Sequence, residues 1–174
     1  MFVCVDVHYY DDNGVASCVV FRDWTDDCGV QEVVKHLRKV RDYMPGFFYK
    51  RELPCIMGVL SKAQGPIHAV VIDGYVWLGK EIPGLGAHLY DKLGGTCTVI
   101  GVAKSRFKGN SFAKPIFRGR SKRPLYITAA GIASQIAAQH IQQMHGKFRI
   151  PTLLKRVDSL ARTSLTEQGA KKIN

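Results

Sequence analysis

Acidic residues are nearly absent from the second part of this 174-residue chain. Residues 101–174 contain two Asp and Glu against 15 Lys and Arg, whereas residues 1–100 contain 12 against 10. The densest stretch, residues 104–123, holds eight Lys and Arg and no acid. Because Phe107, Phe112 and Phe117 lie between these cations, the stretch favours a nucleic-acid partner over a merely solvated basic surface.

Long apolar runs and cysteine pairs are also missing. No run of about 18 apolar residues occurs, so a membrane is not an expected partner. The first residues lack the basic, apolar and small-residue order of a signal peptide. The five cysteines are scattered without C-x-x-C spacing, which argues against a zinc site or a disulfide framework. These absences predict a cytoplasmic protein, and the length suits one domain.

The first part of the chain has the pattern of an antiparallel hairpin. Residues 2–10 and 15–21 are rich in Val, Cys and aromatics, and residues 11–14 read Asp-Asp-Asn-Gly, a strong turn sequence. Residues 30–41 are ambiguous. Their Val30, Val33, Val34 and Leu37 have helical spacing, and on this pattern we predict a helix, with a third antiparallel strand as the alternative.

The stretch 43–52 places four aromatics, a Pro-Gly turn, two cations and one acid within ten residues. Pro54 follows closely, and because proline is tolerated in the first turn of a helix we predict a helix beginning near Leu53. Glu52 then lies at the junction between turn and helix. The stretch is either a functional site or a hydrophobic loop packed against the core.

Three acids are expected to converge at one end of a sheet. Asp6 lies within an apolar strand, and Asp73 follows the apolar run 67–72, which is typical of a buried central strand. With Glu52 they would repel one another, and a hard divalent cation such as Mg²⁺ relieves that repulsion. A second buried strand, residues 97–103, delivers Lys104, which could stabilise a phosphodiester transition state.

Six short motifs in order make the chain similar to the endonuclease V family, inosine-directed nucleases with a ribonuclease H-like fold. They are Asp6-Val7, the 43–47 sequence Tyr-Met-Pro-Gly-Phe with Arg51-Glu52, Asp73-Gly74, the 84–88 sequence Gly-Leu-Gly-Ala-His, the 100–104 sequence Ile-Gly-Val-Ala-Lys, and the 124–127 sequence Pro-Leu-Tyr-Ile.

The resemblance implies an α/β, ribonuclease H-like fold in which helices flank a mixed central β-sheet. Residues 1–162 would form the single domain and 33–41 a third strand. Residues 163–174 are polar, and from this composition we predict a flexible tail. The resemblance also implies an endonuclease that uses Mg²⁺, with Mn²⁺ as a substitute. The enzyme would act as a monomer on inosine-containing DNA or RNA and cut on the 3′ side of the deaminated purine.

Specific residues acquire roles through this resemblance. Asp6, Glu52 and Asp73 match the metal-binding acids, and Lys104 matches the active-site lysine. The lesion wedge and base pocket correspond to Tyr43, Met44, Pro45, Gly46, Gly74 and Gly84. Apart from the resemblance, charge density predicts that the phosphate-binding residues are Arg51 and, from the basic stretch, Arg106, Lys108, Arg118 and Arg120.

The chain departs from the family where a Gly-His-Arg sequence normally precedes the last helix. Here residues 129–132 read Ala-Ala-Gly-Ile. His8 shares a strand face with Asp6 and is either a substitute for the lost His or a packed neighbour. The departure leaves a second interpretation open: a weakened or inactive relative that binds inosine-containing or branched nucleic acid without cutting it.

Overall fold

A seven-stranded mixed sheet forms the centre of the protein. The computed structural model describes residues 1–38, 40, 44 and 46–170, with side chains as far as residue 164. The elements are β1 Phe2–Tyr10, β2 Asn13–Phe21, β3 Gln31–Leu37, α1 Phe48–Leu60, β4 Ala69–Asp73, β5 Trp77–Gly79, β6 Ile82–Pro83, α2 Leu85–Lys92, β7 Thr98–Ala103, β8 Lys114–Ile116, β9 Leu125–Ala130, α3 Ser134–Gln143 and α4 Thr152–Ala170. The predicted mixed sheet with flanking helices is thus confirmed.

The strand order is β3-β2-β1-β4-β7-β9-β8, and β5 pairs with β6 in a separate small hairpin. The pairs β1–β4 and β4–β7 are parallel, while the outer pairs of the large sheet are antiparallel. The central strands are apolar throughout because both of their faces are covered, as parallel strands require. Their carboxyl ends therefore meet at one edge of the sheet.

Helices cover the sheet in two layers, and strand alternation divides the core between them. Val3 and Val5 of β1 pack with α1 and α2, whereas Cys4 packs with α3 and α4. The face toward α4 is therefore the face to which Asp6 and His8 belong. This register decides where the acids of β1 point.

The ambiguous stretch 30–41 is a strand and not the helix that its pattern predicts. Gln31–Leu37 pairs with β2 from Val20 to Gly14. Val33 and Leu37 remain partly buried against the α1 layer. Pairing with the β1–β2 hairpin overrides the helical spacing of the valines. The strand implied by the family resemblance is present, but it covers Gln31–Leu37 instead of 33–41: residues 38 and 40 are not strand, and 39 and 41 lie outside the described residues.

Helix α1 begins at Phe48, five residues before the predicted start near Leu53. Pro54 lies inside it, where a proline removes one backbone hydrogen bond. The helix is retained because its inner face is packed: Cys55, Ile56 and Val59 are all almost fully buried. Consequently Glu52 lies on the second turn of a helix rather than on a connecting loop.

The C-terminal helix α4 extends to Ala170, past residue 162, where the sequence predicts a flexible tail. Leu153, Val157 and Ala161 bury one face of it against the sheet. The Ser17 hydroxyl of β2 donates a buried hydrogen bond of 2.8 Å to the Val157 carbonyl, which fixes this helix across β1 and β2. No helix in the described part of the chain is long and apolar enough to cross a membrane.

Candidate active site

Asp6 and Asp73 lie side by side at the carboxyl ends of two parallel strands. Val5 of β1 is in register with Ile72 of β4, so the residues that follow them are neighbours. Val5 and Ile72 both face the α1 layer. Asp6 and Asp73 therefore face the opposite side, toward α4. The predicted convergence of these two acids is found in the structure.

Lys104 reaches the same place from β7. Its Nζ lies 2.5 Å from Asp73 Oδ2 and donates a hydrogen bond to it. Burial alone would lower the pKa of the Lys104 ammonium, but the hydrogen bond and charge of Asp73 outweigh burial and hold that pKa above its usual value. Lys104 is thus a fixed positive charge beside the acids.

Glu52 approaches from the other side of the sheet, on α1. Its side chain is only 8% exposed. Burial, followed by the negative charge of Asp6, raises its pKa to about 8, and Asp73 adds to the effect. The three predicted acids are therefore electrostatically coupled, although Glu52 does not line the cavity that contains Asp6 and Asp73.

A fourth acid, Asp158 of α4, completes the group and was missed in the sequence. His8 Nε2 lies 3.2 Å from Asp6 Oδ2 and 3.3 Å from Asp158 Oδ1. One ligand atom each from Asp6, His8 and Asp158 lies within 4.8 Å of the others. Arg162 holds the Asp158 carboxylate at 3.0 Å, one turn further along α4.

These contacts explain the charge state of Asp158. Burial would raise its pKa, but hydrogen bonds from Arg162 and His8 outweigh that effect and keep the pKa below its usual value. The sequence carries one signal for Asp158, since it is one of only two acids in the basic part of the chain, residues 101–174.

The Asp6 carboxylate is only partly satisfied by protein groups: His8 lies close to it, but no hydrogen bond reaches its Oδ2 atom. Its Oδ2 atom is buried without a hydrogen-bond partner, because His8 has hydrogen-bonding geometry toward Asp158 only. Burial is the main reason that the pKa of Asp6 rises to about 6, with Asp73 and Asp158 adding to it and His8 opposing it. A buried, unpartnered carboxylate oxygen among other acids fits a divalent cation, whose preferred ligands are oxygens.

Two cavities meet at Asp73. The first, of about 240 Å³, is lined by Asp6, Asp73, Lys104, Asp158 and side chains of α4. The second, of about 230 Å³, is lined by Asp73 together with the predicted pocket residues Gly46, Gly74 and Gly84. A base entering the second cavity would have its backbone next to the acids of the first.

Two of the pocket glycines are needed for its shape. Gly74 has φ +140°, a conformation that other residues rarely adopt. A Cβ added to Gly84 would lie 2.5 Å from the Tyr75 carbonyl oxygen. Tyr49 stacks on His88 with ring centroids 3.7 Å apart and gives the pocket a rigid aromatic wall.

The predicted wedge is described in part. Met44 is 54% exposed and Gly46 has φ +80°. Tyr43 and Pro45 lie outside the described residues. Of the two interpretations of this stretch, Phe47 and Phe48, each 44% exposed, argue against a loop that packs wholly into the core.

Among the predicted phosphate-binding residues, Arg118 is the exception, because it is 4% exposed. Its guanidinium donates to the carbonyl oxygens of Met144, Gly146, Phe148 and Arg149. It therefore holds the loop after α3 together and has no donor face left for a phosphate. In the sequence, Arg118 lies within a dense run of cations, and nothing there distinguishes a buried cation from an exposed one.

The other predicted phosphate-binding residues differ in their surroundings. Arg106, Lys108 and Arg120 are exposed. The Arg51 guanidinium stacks 3.9 Å from the centre of the Tyr9 ring and donates to the Asp11 carbonyl at 3.4 Å. Arg51 thus braces α1 against the β1–β2 hairpin.

Comparison with known proteins gives a consistent result. A sequence model of the endonuclease V family matches residues 1–142. Endonuclease V of Streptomyces avermitilis is 29% identical over 192 aligned positions, which cover 95% of this chain and 81% of the relative.

The crystal structure of a Streptomyces avermitilis endonuclease V superposes with a TM-score of 0.77 at 26% identity, covering 97% of this chain and 82% of the other. Ciona intestinalis endonuclease V, in complex with DNA containing an inosine followed by a ribo-adenosine, superposes with a TM-score of 0.80 at 20% identity, covering 95% and 85%. These neighbours confirm the predicted ribonuclease H-like fold. On the match over residues 1–142, this chain belongs to the endonuclease V family, whose named members are endonucleases.

Proposed function

We propose that the protein is a Mg²⁺-dependent endonuclease that recognises a deaminated purine and cuts the strand on its 3′ side. The observation that carries this proposal is the cavity at the carboxyl ends of β1 and β4 that Asp6, Asp73 and Asp158 line, where burial raises the pKa of Asp6, beside a base-sized pocket that shares Asp73 with it. The inosine-containing DNA bound by the Ciona intestinalis relative suggests the lesion.

The residues that would hold the cation are Asp6, His8 and Asp158, with the Asp73 carboxylate lining the same cavity and Glu52 adding negative charge from the α1 side. When bound, a divalent cation supplies Lewis acidity and makes water a better nucleophile near neutral pH. Mn²⁺ is the expected substitute, since His8 adds a nitrogen ligand to an otherwise oxygen-based group.

Lys104 is placed to act on the phosphate. Its ammonium stays charged beside Asp73 and is exposed at the edge of the first cavity. There it would stabilise the charge that develops on the phosphodiester oxygens. The base pocket on the other side of Asp73 would hold a flipped base, and a weakly paired deaminated base is the least costly to unstack.

The test is to incubate the protein with labelled single-stranded oligonucleotides that carry inosine, as DNA and as RNA, with Mg²⁺, Mn²⁺ or EDTA. The proposal expects one product, cut on the 3′ side of inosine, in the presence of either metal and none with EDTA. A strand with adenosine in place of inosine is the matched control. Equal cutting of both strands would rule out recognition of the lesion.

A second function has one specific observation in its favour. The residues that replace Gly-His-Arg end β9 and carry no ligand: Ala129 and Ala130 are buried, and Gly131 has φ +85°. A relative that binds inosine-containing nucleic acid without cutting would show tight, metal-independent binding and no product. With Asp6, however, His8 and Asp158 form a group that could hold a metal ion without the missing His. This observation favours the nuclease.

Salt dependence tests the predicted phosphate contacts. Without the buried Arg118, the exposed cations of the 104–123 stretch are Arg106, Lys108, Lys114, Arg120, Lys122 and Arg123, besides Lys104. If about three of them neutralise phosphates, the slope of log K against log salt for a single strand should be roughly −2. Fluorescence anisotropy titrations at salt concentrations from about 50 to about 300 mM would measure this slope. A flat response would place the stretch away from the nucleic acid.

Tyr43 remains the predicted wedge. Tyr43→Ala should lose preference for inosine by about five- to a hundredfold, because one base stacked on an aromatic contributes roughly 1–3 kcal/mol. Tyr43→Phe should keep most of the preference, since the ring fills the gap. Affinity for matched strands with and without inosine measures the effect. A less stable but equally selective alanine variant would assign Tyr43 to the core.

A further inference from the structure

A basic groove adjoins the acidic cavity and shares no lining residue with the base pocket. It has a volume of about 890 Å³ and is lined by Arg120, Ser121, Lys147, Phe148, Arg149, Ile150 and Lys155. No acid lines it. Ile150 and Lys155 also line the acidic cavity, so the groove opens directly from it.

The three depressions therefore adjoin one another in series, with the acidic cavity in the middle. The base pocket joins the acidic cavity at Asp73, and the acidic cavity joins the basic groove at Ile150 and Lys155. Arg149 fastens the junction, because its guanidinium donates to the carbonyl oxygens of Lys104 and Pro124. A strand whose lesion occupies the pocket and whose phosphate lies at the acids would continue into the groove.

Phe148 is the unusual feature of this groove. It is 63% exposed, and the Lys147 ammonium lies 5.7 Å from the centre of its ring. Its backbone is nevertheless fixed, since the Phe148 carbonyl accepts a hydrogen bond of 3.1 Å from the buried Arg118. A rigidly mounted, exposed aromatic ring beside free cations is the arrangement on which single-stranded bases stack.

The cations of the groove are available to phosphates. Arg120, Lys147 and Lys155 are exposed, and none of them forms a salt bridge within the described part of the chain. Three unpaired positive charges around one aromatic ring favour a polyanion that carries flat apolar groups. Single-stranded nucleic acid has both properties.

We propose that this groove binds the strand on the 3′ side of the cut, with one base stacked on Phe148 and its phosphates between Arg120, Lys147 and Lys155. The direction rests on the proposed function, because the cut is placed 3′ of the lesion and the groove lies beyond the acids from the base pocket. The groove would hold the departing 3′ product and set the length of strand needed for tight binding.

The test measures binding in EDTA to single-stranded oligonucleotides that have one inosine and increasing lengths on either its 3′ or its 5′ side. For the unmodified protein, affinity should increase as the 3′ side is lengthened and then level off. Phe148→Ala should remove about five- to a hundredfold of that gain and leave affinity for the shortest 3′ side unchanged. Its melting temperature should not change, because the ring is exposed.

Tyr10→Ala is the matched control, since Tyr10 is 59% exposed at the end of β1 and lies outside the groove. It should leave the gain from the 3′ side intact. A Phe148→Ala effect that is absent, equal at all 3′ lengths, or tied to the 5′ side would overturn the proposal.

The same experiment separates this proposal from the proposed function. Stacking accepts any base, so Phe148→Ala should also weaken binding to long strands without inosine. If the unmodified protein shows no preference for inosine but Phe148→Ala still weakens binding, the proposed function is rejected and the proposal for the groove stands. A preference for inosine without a Phe148 effect would do the opposite, and absence of all binding would reject both.

Discussion

Asp6→Asn should lower the rate of metal-dependent cleavage by about 10³-fold or more. It should also make the metal-free protein more stable. The loss follows because a bound cation contributes several kcal/mol to the transition state and each 1.36 kcal/mol is a factor of about ten in rate. The gain in stability follows because the Asp6 carboxylate is buried, has an unpartnered Oδ2 atom and lies beside other acids.

The pH dependence of that gain has a definite sign. The pKa of Asp6 rises from 3.8 to about 6 on folding, so the folded protein binds more protons than the unfolded chain between these values. The contribution of Asp6 to the free energy of unfolding is therefore fully present below about pH 4 and is lost as pH rises through 6. At pH 8 the Asn variant should be more stable by on the order of 1–3 kcal/mol, since a pKa difference of one unit corresponds to 1.36 kcal/mol.

Melting temperature, measured with and without Mg²⁺ or Mn²⁺, checks this prediction. The metal should raise the melting temperature of the unmodified protein at pH 8 and have little effect on Asp6→Asn. Glu32→Gln is a control, because this acid pairs with Arg156 at 2.7 Å on the outer strand β3, away from the site. Unchanged cleavage by Asp6→Asn would contradict the nuclease assignment itself.

The sheet edge that carries the site could be predicted because its signals are local. The apolar runs that became β4 and β7 are each followed by one charged residue, Asp73 and Lys104. Parallel strands place such residues at one edge whatever the rest of the fold does. The ion pair between them, at 2.5 Å, is what that reasoning leads one to expect.

Asp158 could not be placed from sequence in the same way. It lies on α4, about 150 residues from His8, and its position depends on how Val157 and its neighbours pack across β1 and β2. Helical spacing identifies the buried face of α4 but not the strand that lies beneath it. For a related reason the pattern of residues 31–37 predicts a helix instead of the observed strand: the strand forms by pairing with β2, which local spacing does not reveal.

Charge density had a different weakness. It identified the basic stretch but could not separate a cation that faces solvent from one that is enclosed. Arg118 and Arg120 are two residues apart, yet the first is enclosed by carbonyl oxygens and the second lines an open groove. The difference depends on where the loop after α3 folds back.

Arg118→Met should lower the stability of the protein by about 3 kcal/mol, because it leaves several carbonyl oxygens without their charged donor. Nη1 donates to Phe148 and Arg149 at 3.1 and 3.4 Å, while Nη2 donates to Gly146 at 3.2 Å and to Met144. For a chain of this size, about 3 kcal/mol corresponds to a melting temperature lowered by roughly 6–12 °C. Arg118→Lys should recover part of the loss, since an ammonium cannot bridge all four carbonyls.

Arg120→Met is the matched comparison, since it removes the same charge from an exposed position in the groove. Its melting temperature should change little, whereas its slope of log K against log salt should become shallower by about 0.7, the contribution of one phosphate contact to a single strand. Arg118→Met, measured well below its melting temperature, should retain the full slope, because its guanidinium faces carbonyl oxygens and not the strand. Thermal denaturation and salt titration of the two variants test this division, and a shallower slope for Arg118→Met with an unchanged melting temperature would reverse the two assignments.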